Sequence, residues 1–96
     1  MSRAHWTVLA RADLGGIDDF YQKHAPDFAE QLGAAALKAS RFLAERPRAG
    51  AVLEGDIRKW RITGFDYVLL YRVAAGGIEV LRMHHVRQNW RRSGRD

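Results

Sequence analysis

The chain has no cysteine among its 96 residues. A disulfide framework, thiol catalysis and a thiolate metal site are therefore all excluded. No apolar run approaches the roughly 18 residues that a membrane-spanning helix needs. The opening residues, Met-Ser-Arg-Ala-His-Trp, lack the apolar stretch of a secretory signal. We therefore expect a cytoplasmic protein that does not contact a membrane.

Standard catalytic signals are scarce as well. The three serines, Ser2, Ser40 and Ser93, do not lie in the turn that a nucleophilic serine occupies. No glycine-rich phosphate loop precedes a helix, and no two carboxylates form a credible acid/base pair. His84 and His85 are adjacent on a predicted strand, so they point to opposite faces and do not chelate one ion together. The sequence thus predicts neither a metal site nor a cofactor.

The composition is that of one globular domain spanning residues 1–96, with 47% apolar and 28% charged residues. The net charge of +5 is unevenly distributed. Residues 1–56 hold seven Lys/Arg and eight Asp/Glu, whereas residues 57–96 hold nine Lys/Arg and three Asp/Glu. A positive charge concentrated in one half indicates an acidic or polyanionic partner for that half.

The first half predicts one strand followed by a helical hairpin. Residues 3–11 alternate loosely, as in a strand. Asp13 is a plausible N-cap for a short first helix. Pro26 is well placed as the first residue of a second helix, and Pro47 ends it. Residues 47–56 are predicted to be the only real loop, with Val52 and Leu53 tucked under the edge of the sheet.

Three strands follow, and their alternation predicts two different faces. If the helical hairpin covers the side with the larger apolar residues, the opposite, open face collects four basic or imidazole residues, Lys59, Arg61, Arg82 and His84. The covered side then contains Trp60, Ile62, Leu81 and Met83. The predicted fold is α+β, in the order β-α-α-β-β-β, with the hairpin on one face of a mainly antiparallel four-stranded sheet.

The second half also contains groups suited to cleaving RNA without a metal. That reaction needs a general base, a general acid and cations around the phosphorus. The candidates are Arg61, Arg82, His84 and His85. The alternative remains open that His85 packs at the end of a strand and His84 is an exposed surface residue.

The order and spacing of these segments resemble the RelE/ParE toxin superfamily of bacterial type II toxin–antitoxin modules. The similar segments are Asp13-Leu14 and residues 42–50, 57–62, 64–73 and 78–90. Two features look like the ParE branch. The first is the pattern Leu43-x-Glu45-x-Pro47-x-x-Gly50, and the second is the ending with His85, Arg87 and Trp90.

The resemblance implies a toxin that poisons DNA gyrase by binding, arrests growth or stabilises a plasmid, and is neutralised by a cognate antitoxin. The antitoxin would use an acidic or amphipathic C-terminal segment, and operator DNA would be bound only through the antitoxin. The residues assigned to target or antitoxin binding are Arg58, Lys59, Arg61, Arg82, His84, Arg87, Trp90, Arg91 and Arg92.

Two alternatives remain. One is a RelE-like, metal-independent endonuclease that cuts mRNA on the ribosome with Arg61, Arg82 and one of the two adjacent histidines. The other is an inactive member of the superfamily that only binds the antitoxin and helps to repress the operon.

Overall fold

A computed structural model of the chain describes residues 2–88. Two helices and five strands follow one another, and we number them in chain order. They are β1 (Arg3–Trp6), α1 (Val8–His24), α2 (Pro26–Glu45), β2 (Ala51–Glu54), β3 (Ile57–Arg61), β4 (Tyr67–Ala74) and β5 (Gly77–His85). Neither helix is long and apolar enough to cross a membrane within this part of the chain.

The strands form one mixed sheet in the order β1-β5-β4-β3-β2. β1 runs parallel to β5, and every other neighbouring pair is antiparallel. The α+β class and the helical hairpin are confirmed, but the predicted number of four strands is wrong. The additional strand is β2, which lies in the segment predicted to be a loop. It is only four residues long and mostly exposed, so it has no alternating apolar pattern that would predict a strand.

The start of α1 also differs from the prediction. β1 ends at Trp6, and the helix cap is Thr7, whose hydroxyl accepts a hydrogen bond from the Ala10 N–H at 3.1 Å. Thr7 satisfies one of the free N–H groups of the first turn. Asp13 is therefore not the N-cap, because it lies more than one turn inside the helix.

The helical hairpin forms as predicted. Ala25 separates the two helices, Pro26 opens α2, and α2 ends two residues before Pro47. The buried side chains on α2 are mostly small, such as Ala36 and Ala39, with Leu32 and Leu43 among them. The small residues let the helix approach the sheet closely, and the leucines fill the remaining space.

An irregularity in β5 determines which of its side chains face the helices. Leu70 of β4 is paired with Arg82, whereas its neighbour Tyr71 is paired with Val80, so Leu81 has no partner and forms a β-bulge. The extra residue shifts the alternation. Val80 and Met83 both lie in the hydrophobic core despite their odd spacing, whereas Leu81, which alternation placed beside Met83, is only partly buried.

Tyr71 ties the central strand to the loop before β2. Its ring is fully buried, its hydroxyl donates to the Pro47 carbonyl at 2.8 Å, and the Gly50 N–H donates to the same hydroxyl at 2.8 Å. Gly50 leaves no room for a side chain. A Cβ there would lie 2.5 Å from the Tyr71 hydroxyl oxygen and 2.7 Å from the Lys59 carbonyl oxygen.

We predict that Gly50→Ala lowers the free energy of unfolding by about 1–3 kcal/mol, because the new methyl group overpacks a buried contact. The measurement is urea denaturation. Gly33→Ala is the matched control, since within residues 2–88 no atom beyond its own stretch of helix lies within 4 Å of its Cβ position. Gly33 is inside α2, so its replacement should raise stability by about 0.5–1 kcal/mol. Equal effects from both substitutions would contradict the role given to Gly50.

Candidate functional site

Helix α1 lies along an edge of β5 that has no neighbouring strand. β1 pairs with β5 only as far as Val80. Beyond that point, the Thr7 hydroxyl donates to the Leu81 carbonyl at 3.1 Å, and the Met83 N–H donates to Asp13 Oδ2 at 3.0 Å. Side chains of α1 thus supply the hydrogen bonds that another strand would make.

Asp13 also holds Arg82 in a two-pronged contact. Arg82 Nε donates to Asp13 Oδ2 at 2.8 Å, and Arg82 Nη2 donates to Asp13 Oδ1 at 3.1 Å. Burial by itself would raise the pKa of Asp13, but the bonds from Arg82 and Met83 outweigh it and hold that pKa below its ordinary value. The same contact raises the pKa of Arg82. The charge of Arg82 is therefore balanced by a specific carboxylate.

His84 lies beside this pair and is nearly inaccessible, with 6% of its surface exposed. Burial is the main cause that lowers its pKa below the ordinary value of 6.5, and Arg82 adds to the effect. Asp13 and the Gln88 side chain oppose it only in part. His84 is consequently neutral at pH 7. Its Nε2 atom is buried and has no hydrogen-bond partner among residues 2–88.

The other two candidate catalytic residues are also engaged locally. Arg61 Nη2 lies 2.5 Å from Asp66 Oδ1, and its Nε donates to the Phe65 carbonyl at 3.0 Å. This ion pair is well exposed on both sides, so it contributes little to stability. His85 Nδ1 accepts a hydrogen bond from the Arg87 N–H at 3.1 Å, and its ring packs against Tyr67 with 5.2 Å between the centroids.

A cavity of about 840 Å³ lies on the face of the sheet opposite the helices. We call it the basic groove. Its cations are Lys59, Arg61 and Arg87, and its apolar surface includes Val68 and Leu70. The full lining is Ala49, Ala51, Leu53, Lys59, Trp60, Arg61, Val68, Leu70, Val86, Arg87 and Gln88. A cationic surface with an apolar floor suits a ligand that is both acidic and apolar.

The strand register confirms that Lys59, Arg61, Arg82 and His84 share the face opposite the helices. Lys59, Leu70 and Arg82 form one row across the strands, and Arg61, Val68 and His84 form the next. Arg82 and His84 lie at the edge beside α1, where they line a second cavity. Arg58 is directed to the loop before β2, where its Nη1 donates to the Gly50 carbonyl at 2.8 Å. The remaining predicted binding residues, Trp90, Arg91 and Arg92, lie outside the described residues.

Sequence reasoning missed Asp13 as the partner of Arg82. The sequence does show that Asp13 is next to Leu14, which faces inward on α1. A carboxylate at such a position loses stability unless a partner pairs with it. Its partner is 69 positions away, so no local pattern identifies it. Within residues 2–88, no group of three or more His, Asp or Glu residues is arranged to hold a metal ion.

The sequence matches a known family of toxins. The family model for the ParE toxin of type II toxin–antitoxin systems, parDE, matches residues 4–90. The chain belongs to this ParE toxin family. A solved structure described as the chromosomal ParDE TA system from P. aeruginosa has the same fold, with a TM-score of 0.75 and 24% identity over 88% of this chain and 96% of that one.

Two curated relatives carry toxin names. Toxin RelE2 of Caulobacter vibrioides is 31% identical over 85 residues, which cover 88% of this chain and 96% of the relative. Putative toxin Y4kP of Sinorhizobium fredii is 31% identical over 91 residues and 92% of each chain. The protein is therefore a toxin of the ParDE/RelE type, and these names span both branches of the superfamily.

We predict that Asp13→Asn lowers the free energy of unfolding at pH 7 by about 1.5–3 kcal/mol, because it weakens hydrogen bonds to a charged group. The folded-state pKa of Asp13 is depressed below its ordinary value of 3.8. Its contribution is thus fully present above about pH 4 and is lost as the pH falls through the folded-state pKa. The difference between wild type and variant should shrink accordingly in urea denaturation between pH 7 and pH 3.

Asp19→Asn is the matched control for this experiment. Asp19 lies on the same helix and is exposed, so the substitution should change stability by less than about 0.5 kcal/mol. If the two variants were equally stable at pH 7, Asp13 would not be the residue that holds α1 to β5.

Proposed function

We propose that this toxin inhibits DNA gyrase by binding to it, without covalent catalysis of its own, and that a cognate antitoxin neutralises it. One observation carries the proposal. Three of the four residues that a ribonuclease would use are buried or hydrogen-bonded to a neighbour, and the fourth, Arg61, forms an exposed ion pair with Asp66. The four residues are Arg61, Arg82, His84 and His85.

The contacts explain why these groups suit RNA cleavage poorly. A cation that stabilises the phosphorane must carry uncompensated charge toward the substrate, whereas Asp13 balances Arg82 in a two-pronged contact. A general acid or base must reach the reacting proton. His84 is buried, and one nitrogen of the His85 ring already accepts the Arg87 N–H.

The basic groove supports a protein partner. Lys59 and Arg87 supply positive charge, and Leu70 and Val68 supply an apolar floor. An acidic, amphipathic antitoxin segment would place its carboxylates near the cations and its apolar side chains on the floor. Ordering such a segment costs conformational entropy, which the contacts offset only when both kinds of group are engaged. Operator DNA would then be reached only through the antitoxin.

The purified toxin is expected to abolish DNA supercoiling by gyrase and to leave mRNA on ribosomes intact. Both assays should be run in parallel with the same preparation. Cut transcripts together with normal supercoiling would overturn the proposal in favour of a RelE-like endonuclease. Absence of both activities, with the antitoxin still bound, would favour a member that acts only in operon repression.

Charge reversal at Lys59 should weaken antitoxin binding. We expect Lys59→Glu to reduce the affinity about tenfold, or about 1.4 kcal/mol, and to make the association rate less dependent on salt. The measurement is surface plasmon resonance at two salt concentrations. Lys38→Glu is the matched control, because Lys38 is an exposed lysine on α2 and lies outside the basic groove. Equal losses from both variants would mean that only net charge matters.

A further inference from the structure

A groove of about 500 Å³ lies between α1 and α2, beside Trp6 of β1. We call it the hairpin groove. Its residues from the two helices are Arg11, Leu14, Gly15, Asp18, Gly33 and Leu37. None of them lines the basic groove, so this surface is separate from the one that suits an acidic segment.

The hairpin groove leaves apolar surface uncovered. Leu37 keeps 43% of its surface exposed, and Leu14 is only partly buried. Gly15 lies next to Leu14, and within residues 2–88 no atom beyond its own stretch of helix lies within 4 Å of its Cβ position. A glycine inside a helix costs about 1 kcal/mol relative to alanine, but it allows another backbone to approach closely.

Two opposite charges border this apolar surface on α1. Arg11 forms no ion pair within residues 2–88, and Asp18 accepts only a long hydrogen bond of 3.4 Å from the Gln22 side chain. Arg11 and Asp18 are separated by about 10 Å along the helix, which is too far for a direct ion pair. Both charges are therefore available to a partner.

The spacing of these residues is self-complementary. In a contact with two-fold symmetry, residue i of one copy meets residue j of the other, and j meets i. We consider two copies of α1 that cross in opposite directions, with the symmetry axis between Leu14 and Gly15. Arg11 and Asp18 are equally far from that axis along the helix. Each Arg11 then lies opposite Asp18 of the other copy, and each Leu14 lies opposite Gly15 of the other copy.

The charges favour a second copy over an acidic segment. Because Arg11 and Asp18 have opposite signs, the groove does not attract an excess of either charge. Its partner must present the same two charges in reversed order at the same spacing, with a small residue between them. The α1 helix of a second copy meets all three conditions when it runs in the opposite direction.

We propose that the hairpin groove is a self-association surface, on which α1 of a second copy of this chain packs antiparallel to α1. The contact covers about two turns of each helix, and its exposed ion pairs determine orientation more than affinity. The dimer is therefore weak, with a dissociation constant on the order of 100 μM. It leaves the basic groove of each copy open, and it does not depend on the target of the toxin.

Charge reversal at the two ends of the contact tests the proposal. The measurement is sedimentation equilibrium at protein concentrations below and above the expected dissociation constant. Arg11→Glu and Asp18→Arg should each weaken self-association by about tenfold or more, because symmetry converts both ion pairs into like-charge pairs. An equimolar mixture of the two variants should associate like the wild type, because each charge at position 11 then meets the opposite charge at position 18.

Two matched controls separate the contact from general effects. Asp19→Arg makes the same change in net charge as Asp18→Arg at an exposed position of α1 outside the hairpin groove, so self-association should stay within about twofold of wild type. Gly15→Leu should block the closest approach of the two helices. Gly16→Leu should not, because Gly16 lines the cavity beside β5 instead.

Three outcomes would overturn the proposal. The first is a wild type that remains monomeric well above the expected dissociation constant. The second is a mixture of Arg11→Glu and Asp18→Arg that associates no better than either variant alone, although both variants keep the wild-type circular dichroism spectrum. The third is an equal loss of self-association in Asp18→Arg and Asp19→Arg, which would mean that net charge and not this contact governs association.

Discussion

The contact of Asp13 with β5 is the constraint on which the rest of this molecule depends. β5 continues for five residues after its pairing with β1 ends at Val80. Its exposed edge would otherwise present unpaired N–H and C=O groups. Asp13 accepts hydrogen bonds from the Met83 N–H and from two nitrogens of Arg82. One carboxylate on α1 therefore helps to close the edge, fixes the helix against the sheet and balances the charge of Arg82.

The bulge at Leu81 makes this contact compatible with a continuous core. The register shift lets Val80 and Met83 both pack against the helices. Arg82 and His84 lie on the other side of β5, in cross-strand rows with Lys59 and Arg61. The basic and imidazole side chains of the second half therefore share the open face, and Asp13 balances the charge of Arg82 at the edge beside α1.

Local patterns were enough to predict the helical hairpin and the three long strands. Pro26 and Pro47 mark the limits of α2, and apolar alternation marks β4. β2 was not predicted, because a short and mostly exposed strand has no apolar alternation and forms only by pairing with β3. The partner of Arg82 was not predicted for a related reason. An ion pair between residues 69 positions apart depends on the complete fold, and so does the burial of His84.

The basic groove indicates how charge would govern recognition of a partner. Attraction of an acidic segment to Lys59 and Arg87 acts over about 10 Å at moderate ionic strength and weakens as salt is added. Arg82 adds little to that attraction, because Asp13 already balances its charge in a two-pronged contact. The association of an acidic antitoxin segment would therefore depend on the cations of the groove more than on Arg82, and only its contact with the apolar floor would be insensitive to salt.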